Sequence, residues 1–467
     1  MALKLLLDGK LVDGAAGLEV INPATGTVLD IAPRADVAQA EQAIAAARRA
    51  FPAWSRLSYR ERGKYLERLA DALDARRDEF ARLLTQEQGK PLAEAQGEVF
   101  GTSATLRWCA GQELKPVLLR EDANERIMEQ RYPLGVVAAI IPWNFPLALL
   151  TQKLGPALIT GNVVIAKPAP TTPLTTLLFG EMAAEILPAG VLQTIVDNND
   201  LGPLFTSHPG IDFVSFTGST ATGKKVMASA ADTLKRFSLE LGGNDAALIL
   251  DDADLESVGP KVFGSAIGNS GQICIAVKRV YAPRAMVDPL CDIFARLAGE
   301  VVVGDGLNQG TTMGPVQNEA QYDKLVALLD ETRAVGTIVA GGNVPDGPGY
   351  FLEPTVVRDL PDDARLVREE QFGPIVPVLG YDELDDVIAR INATPYGLGG
   401  SVWSSDTDRA VEVASRIESG TVWVNRHRSL SPDVPFGGAK QSGIGVQNGL
   451  DGLREHTQGR IVNISLK

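Results

Sequence analysis

The stretch "DFVSFTGSTATGKKVMASAADTLKRFSLELGGNDAALIL" (212–250) sets the terms of the fold. It opens on a β-rich apolar run, turns at Gly218, and continues with a helix-like segment. It then returns to two further β-rich runs, "RFSLELGG" and "DAALIL". Strand, glycine turn, helix, strand is the texture of a parallel sheet covered by helices on both faces. The same alternation starts at residue 134. "GVVAAII", "NVVIAKP" and "VLQTIV" read as strands, and "LTTLLFGEMAAEILPAG" reads as a helix between two of them. In open α/β sheets ligands bind beyond the carboxyl ends of the strands.

Working outward, residues 36–90 predict helices. "DVAQAEQAIAAARRAF" and "LERLADALDARRDEFARLL" place apolar residues three and four apart with charges between them. A second α/β unit follows the first, clear by its texture from about residue 255, with strands expected at "TIVAG", "IVPVLG", "GGSVWS" and "GTVWVN". "LKPVLLREDANERIMEQRYPLG" (114–135) has two extended halves around the turn-prone "EDANE", which predicts a protruding hairpin. The last residues, "GRIVNISLK", read as a strand seeking a partner.

The chain has 467 residues, 45% hydrophobic and 22% charged, with a formal charge of −14. At roughly 150 residues per domain, about three domains are expected. The acidic balance and the lack of any basic run argue against nucleic acid or anionic membrane as partners. The longest apolar run, 134–150, is broken by Pro142, Asn144 and Pro146 and is short for a membrane span. Three cysteines, odd in number and far apart, fit a reducing compartment, and a cytoplasmic protein is expected. Cys109 and Cys291 sit in helix-like apolar surroundings and read as buried.

Cys274 is different. It stands in "GNSGQICIA" (268–276), among small and polar residues that give a thiol access. "PWNFP" (142–146) follows a predicted strand, and its prolines would present Asn144 as a fixed amide donor, suited to an oxyanion. In "LELGG" Glu240 is flanked by apolar residues, which raises a carboxylate's proton affinity toward that of a neutral-pH base. "FTGSTATGKK" nearly matches a phosphate-binding loop through Gly218, Gly223 and Lys224. Lys225, however, stands where Ser or Thr must hold Mg²⁺, which argues against a nucleotide triphosphatase.

In their order along the chain, "PWNFP", "KPAPTTP", "FTGS", "LELGG", "GNSGQICIA", "EEQFGP" and "PFGGAKQSGIG" resemble the aldehyde dehydrogenase superfamily, over nearly the whole chain. The resemblance implies NAD(P)-dependent oxidation of an aldehyde to a carboxylic acid, with Cys274 as nucleophile, Asn144 in the oxyanion hole and Glu240 as the base that hydrolyses a thioester. It implies that Ile141, Pro142, Trp143, Lys167, Gly218, Ser219, Leu241, Gly242, Glu370 and Phe372 hold the cofactor, and that no metal takes part. Substrate entry would be lined by Phe145, Leu149, Gln152, Ile273, Ile275 and Phe436, a mix that suits a medium-sized, largely apolar aldehyde. The basic start of "NRHRSLSPDVP" (425–435) offers a contact for an acidic tail.

The implied fold is α/β, with a Rossmann-like cofactor domain (1–112 and 133–242), an α/β catalytic domain (243–448) and a small β oligomerisation element (113–132 and 449–467). A homodimer or homotetramer is expected. NAD is the expected cofactor. NADP also fits, because Pro170 stands where relatives carry a ribose-binding Glu. Val446-Gln447 replaces the Arg-Glu that often follows "SGIG". Three rival readings remain open: an acylating enzyme that passes the thioester to coenzyme A, a non-catalytic binding protein on the same fold, and the nucleotide triphosphatase suggested by Gly218 to Lys224.

Overall fold

In the computed structural model, which describes residues 2–467, the alternation read from residue 134 resolves into two separate sheets. The first has six strands, in spatial order Gly443–Ile444, Arg236–Glu240, Phe213–Thr217, Val136–Ile140, Val163–Lys167 and Leu192–Thr194. Its other five strands run parallel to one another, and Gly443–Ile444 closes the edge antiparallel to Leu239 and Glu240. Val136–Val137, Val163–Ala166 and Phe213–Val214 are buried on both faces, as apolar strands under helices must be. The strand order reverses between Val136–Ile140 and Phe213–Thr217. The crevice at such a reversal is where α/β sheets bind ligands.

The second sheet has seven strands, in the order Thr337–Ala340, Thr355–Arg358, Ile375–Tyr381, Arg279–Pro283, Ala246–Ile249, Gly399–Trp403 and Thr421–Val424. All neighbours are parallel except the first pair. "DAALIL", which reads as a continuation of the first unit, is a central strand of the second. The chain therefore changes sheet within five residues, between Glu240 and Ala246. Arg279–Pro283 and Thr355–Arg358 were not anticipated, nor were the amino-terminal hairpins Leu5–Leu7/Lys10–Val12 and Ala16–Asn22/Thr27–Arg34.

The helical region is broken more often than its periodicity suggests. Val37–Ser55 and Tyr59–Ala75 both start on capping boxes, Asp36 with Gln39 and Ser58 with Glu61. The expected helix over 66–84 is interrupted at Arg76 (φ −110°, ψ 19°), and Arg77–Gln88 continues beyond it. The hairpin is Val117–Glu121 with Glu125–Pro133, and the terminal strand Thr457–Ser465 pairs antiparallel with its second arm over nine residues. Val117, Leu118 and Leu119 are half-exposed on its free edge. Among the described residues no helix is long and apolar enough to cross a membrane. Cys109 and Cys291 are buried in the cores, and no cysteine is disulfide-bonded.

Candidate active site

The two sheets meet end to end. Ile141–Asn144 and Gly218–Ser219 leave the carboxyl ends of the first sheet. Cys274–Lys278 and Glu370–Phe372 lead into the amino ends of Arg279–Pro283 and Ile375–Tyr381 in the second. A cavity of about 230 Å³ lies at the junction, lined by Pro142, Trp143, Asn144, Leu149, Gly218, Ser219, Leu241, Gly242, Cys274, Glu370 and Phe372, with Thr217, Gln321 and Lys324. Residues up to 230 positions apart in sequence thus share one space, and it opens at the strand-order reversal.

Asn144 is held from three sides. Pro146 starts the helix Pro146–Ile159, whose first free N–H groups, those of Leu147 and Ala148, donate to the Glu98 carboxylate at 3.1 Å each. Glu98 is ion-paired with the fully buried Lys90, whose ammonium donates to the Asn144 carbonyl (3.0 Å) and lies 3.7 Å from the Phe145 ring centroid. Asn144 Nδ2 donates to the Gln272 carbonyl at 3.0 Å, and Asn269 Nδ2 donates back to the Asn144 carbonyl at 3.1 Å. One of the two amide N–H bonds of Asn144 is therefore committed to the cysteine loop, and the other remains.

That loop is strained. Asn269, Ser270 and Gly271 are consecutively left-handed, with φ of 49°, 56° and 72°. Ser270 Oγ donates to the Gly314 carbonyl (2.7 Å), and the Gln272 side chain bridges the Asn269 carbonyl and the Gln317 N–H. Lys278, almost fully buried, donates to the carbonyls of Ile273 (2.8 Å) and Cys274 (2.6 Å). The backbone N–H of Cys274 donates to no group among the described residues. Burial pushes the Cys274 thiol up to about 12, Lys278 opposes this, and the Glu240 charge raises it further. In this state the sulfur is a thiol.

Glu240 does not line the cavity. Its side chain is buried at the end of its strand, and burial raises its carboxyl to about 8, against the pull of Lys153. Lys153, buried in the helix Pro146–Ile159, donates to Thr217 Oγ1 (2.7 Å) and Ser215 Oγ (3.3 Å), and burial lowers it to about 7. A carboxyl and an amine that both titrate near neutrality form a coupled pair.

Glu370 rests on the backbone of Gly242 and Gly243. Its Oε1 accepts from the Gly243 N–H at 3.0 Å, and a Cβ on Gly242 would come within 2.3 Å of Oε2, so any larger residue there would displace the carboxylate. Lys278 lies 3.6 Å from the same carboxylate. Gln321 and Lys324, from the helix Glu319–Val335, donate to the carbonyls of Glu370, Gln371 and Phe372 and fix that loop. Phe372 packs edge-on to Trp143 at 5.3 Å.

Other expected site residues fall elsewhere. Ile141 is buried, its N–H donating to the Lys167 carbonyl at 2.9 Å. Lys167 is buried too, 2.6 Å from Asp197, and lines no part of the cavity. Pro170 lies in the turn beyond it. A second cavity, of about 460 Å³, is lined by Phe145, Gln152 and Ile273 with Arg428, Glu94 and others. Ile275 and Phe436 line neither space. They pack with Leu398 and Trp423 behind the cysteine, as its apolar backing.

Sequence reasoning missed Lys90, Glu98, Lys153, Lys278, Gln321 and Lys324. One signal was available: Lys153 stands alone in the apolar run "LALLTQKLGPALI", where a lysine needs a buried partner. The phosphate-loop reading fails on geometry. The helix Thr220–Ala230 begins immediately after Ser219 caps it, which leaves no loop to wrap a phosphate chain.

Two α/β sheets thus meet at one cavity, at the strand-order reversal where such folds bind ligands, with a cysteine and a side-chain amide in its wall. The model of the aldehyde dehydrogenase family matches residues 12–462, and the chain belongs to that family, as an oxidoreductase acting on aldehydes. It is 40% identical over 445 residues to the aldehyde dehydrogenase LUC3 of Fusarium sp, covering 95% of this chain and 94% of that one. It is 38% identical over 480 residues to a betaine aldehyde dehydrogenase of Rhizobium leguminosarum bv. trifolii, covering 98% and 96%. The NAD⁺ complex of aldehyde dehydrogenase from Bacillus cereus superposes with a TM-score of 0.97 at 34% identity, covering 100% of this chain and 97% of that chain.

Proposed function

We propose that this enzyme oxidises an aldehyde to the carboxylic acid through a cysteine-bound thiohemiacetal and thioester, with NAD as the oxidant and NADP as the second cofactor to assay. The observation that carries the reading is the shared cavity, where Cys274 and Asn144 face Gly218, Ser219, Glu370 and Phe372. The Cys274 thiol gives its proton to solvent water, and the thiolate Sγ adds to the carbonyl carbon. The carbonyl π pair moves to oxygen, where it meets the uncommitted Asn144 N–H and the free Cys274 N–H. When held at this cavity, nicotinamide would supply the hydride acceptor needed to take the adduct to the thioester. Glu240 then takes a proton from water, the hydroxide adds, the C–S bond breaks, and Glu240 returns that proton to the departing sulfur, so that thiol and acid are released.

The residues fit a dinucleotide. The crevice lies at the strand-order reversal, and the eleven-residue helix Thr220–Ala230 points its amino end there behind Gly218 and Ser219, a site for the pyrophosphate. Glu370 would hold the nicotinamide ribose beside Phe372, with Ile141, Pro142, Trp143, Leu241 and Gly242 around the ring and Lys167 at the adenosine ribose. No carboxylate stands at Pro170 to repel a 2′-phosphate. In this reading residues 1–112 and 133–242 form the cofactor domain, and 243–448 the catalytic domain. The three-stranded sheet of 113–132 and the carboxyl terminus joins subunits along its free apolar edge.

Glu240 favours hydrolysis over transfer to coenzyme A, since a water-activating base would drain the thioester. The test is an aldehyde panel with NAD and NADP in parallel, following reduced cofactor and product with and without coenzyme A. Carboxylic acid and stoichiometric reduced cofactor are expected. Acyl-coenzyme A as the product, or no reduced cofactor from any aldehyde, refutes the reading.

A further inference from the structure

We propose that the enzyme selects aldehydes carrying a carboxylate at the end remote from the carbonyl, and that Arg428 is the residue that reads it. The proposal rests on the aldehyde-oxidation reading above and narrows its substrate class. The 460 Å³ cavity is lined by Phe145 and Ile273, the chain neighbours of Asn144 and Cys274, and in this proposal the aldehyde reaches the sulfur from it, past the cysteine loop. Its wall is largely apolar, and the Arg428 guanidinium is set into it.

Arg428 forms no side-chain hydrogen bond or ion pair among the described residues, and its Nη1 is buried without a partner. A guanidinium stays charged, and withdrawing it from water without an acceptor is unfavourable unless a ligand supplies one. Nor is the side chain free to swing away. Asn425 and Arg428 are both left-handed (φ 56° and 58°) and bracket His427, whose Nε2 lies 2.9 Å from the Ile275 carbonyl. Trp423 packs on His427 and donates to the Ser429 carbonyl at 3.0 Å. The guanidinium lies so close to Gly268 that a Cβ there would stand 2.1 Å from Nη1. Strained backbone on a rigid mount, holding an unused charge in a cavity, is the arrangement of a binding site.

The other charges of the cavity are already committed. Glu98 is paired with Lys90 and accepts from two helix N–H groups, and Glu94 accepts from the Asn269 N–H at 3.1 Å. Glu94 is the carboxylate whose charge acts on Arg428, from beyond ion-pairing distance, so the guanidinium has a counter-charge in the cavity but no hydrogen-bonding acceptor among the described residues. The cavity is equally unsuited to a cationic aldehyde. Phe145 is its one aromatic ring, and Lys90 already occupies a position 3.7 Å from that ring's centroid, so no cage remains for an ammonium group. A carboxylate matches the fork of donors that guanidinium presents.

The test uses matched pairs: 5-oxopentanoate with pentanal, and 4-carboxybenzaldehyde with 4-methylbenzaldehyde. They are assayed with NAD in the wild type, Arg428→Gln and Arg428→Lys, with folding of each variant checked by circular dichroism. The wild type is expected to favour the carboxylate member of each pair. Arg428→Gln should lower the anionic-to-neutral ratio of kcat/KM about 10- to 100-fold, chiefly through KM, and Arg428→Lys should recover part of it. Equal kcat/KM for both members in the wild type, or an unchanged ratio in Arg428→Gln, overturns the proposal. If no aldehyde of either kind is oxidised, the oxidation reading fails, and calorimetry with glutarate against glutaramide decides the anion site. Glutarate binding that Arg428→Gln abolishes upholds it, and absence of glutarate binding to the wild type overturns it.

Discussion

Raising the pH should switch on thioester hydrolysis through Glu240. Its carboxyl stands at about 8 rather than the ordinary 4.5, because burial disfavours the charge more than Lys153 supports it. A base works in its deprotonated form, so activity should rise with pH. A single group titrating at 8 is about 1% carboxylate at pH 6 and about 90% at pH 9, a rise of roughly 90-fold. An ordinary glutamate would already be almost fully ionised at pH 6, and the profile would be flat over the same range. Because Lys153 is coupled to Glu240, the midpoint belongs to the pair. The assay is stopped-flow production of reduced cofactor, which separates a first-turnover burst from the steady rate that follows. The steady rate should carry the pH limb. Glu240→Gln should keep the burst, slow the later turnover by at least a hundredfold, and abolish the limb. A flat profile from pH 6 to 9, or an unchanged limb in Glu240→Gln, would show that Glu240 is not the hydrolytic base.

Three further outcomes are expected. Cys274→Ala should form no reduced cofactor from any aldehyde while binding NAD within about threefold of wild type, read by quenching of tryptophan fluorescence in titrations. Equal loss of NAD binding would place the sulfur in the cofactor site rather than at the chemistry. Lys278→Met strips the charged donor from the Ile273 and Cys274 carbonyls, and at ~1.5–3 kcal/mol for each charged hydrogen bond it should destabilise the fold by roughly 3–6 kcal/mol. Thermal unfolding should show a fall of several degrees, with kcat at least tenfold lower, and a variant that matches wild type in both would remove the carbonyl clamp from the account. Leu118→Glu puts a charge on the free edge of the hairpin sheet, and light scattering should report a smaller species than wild type. An unchanged mass would exclude that edge as the subunit contact.

The sequence disclosed those elements whose chemistry is local. Parallel strands buried on both faces read as unbroken apolar runs, which is why "NVVIAKP" and "GVVAAII" were visible. Arg279–Pro283 was not, because its first residue carries a guanidinium that the fold buries against the Asn244 carbonyl at 2.8 Å, a partner 35 residues away. "DAALIL" has the texture of its neighbours, and texture cannot show that the chain leaves one sheet at Gly242–Gly243 and enters another. The site followed the same rule. Asn144, Gly218, Cys274 and Glu370 stand in turns marked by proline and glycine, and the structure gathers all four around one cavity. Lys90 and Lys278 were illegible because lysine is an exposed residue by default, and Lys153 showed only as a lone charge in an apolar run, with no sign of its partners. Each is buried here only because carbonyls, hydroxyls or a carboxylate from distant segments converge on it.

The left-handed run at Asn269–Gly271 shows what the junction of the two sheets demands. Left-handed backbone is disfavoured for residues with a Cβ, by roughly 1–3 kcal/mol at each such position, and two of the three residues here have one. A straight exit from the helix Leu255–Ile267 would keep the cysteine on its own sheet's side. Reversing the chain three times in succession instead carries Cys274 to the cavity beneath the first sheet's strand ends, with its N–H unpaired and its carbonyl turned back to Lys278. The strain is offset by the bonds that hold the turn: Ser270 to Gly314, Asn269 to Asn144, and Gln272 to Gln317. Those partners come from two segments, at Asn144 and at Gly314–Gln317, both far from the loop in sequence, so the reactive geometry exists only once both sheets have docked. A partly folded chain would expose an ordinary thiol with no amide beside it.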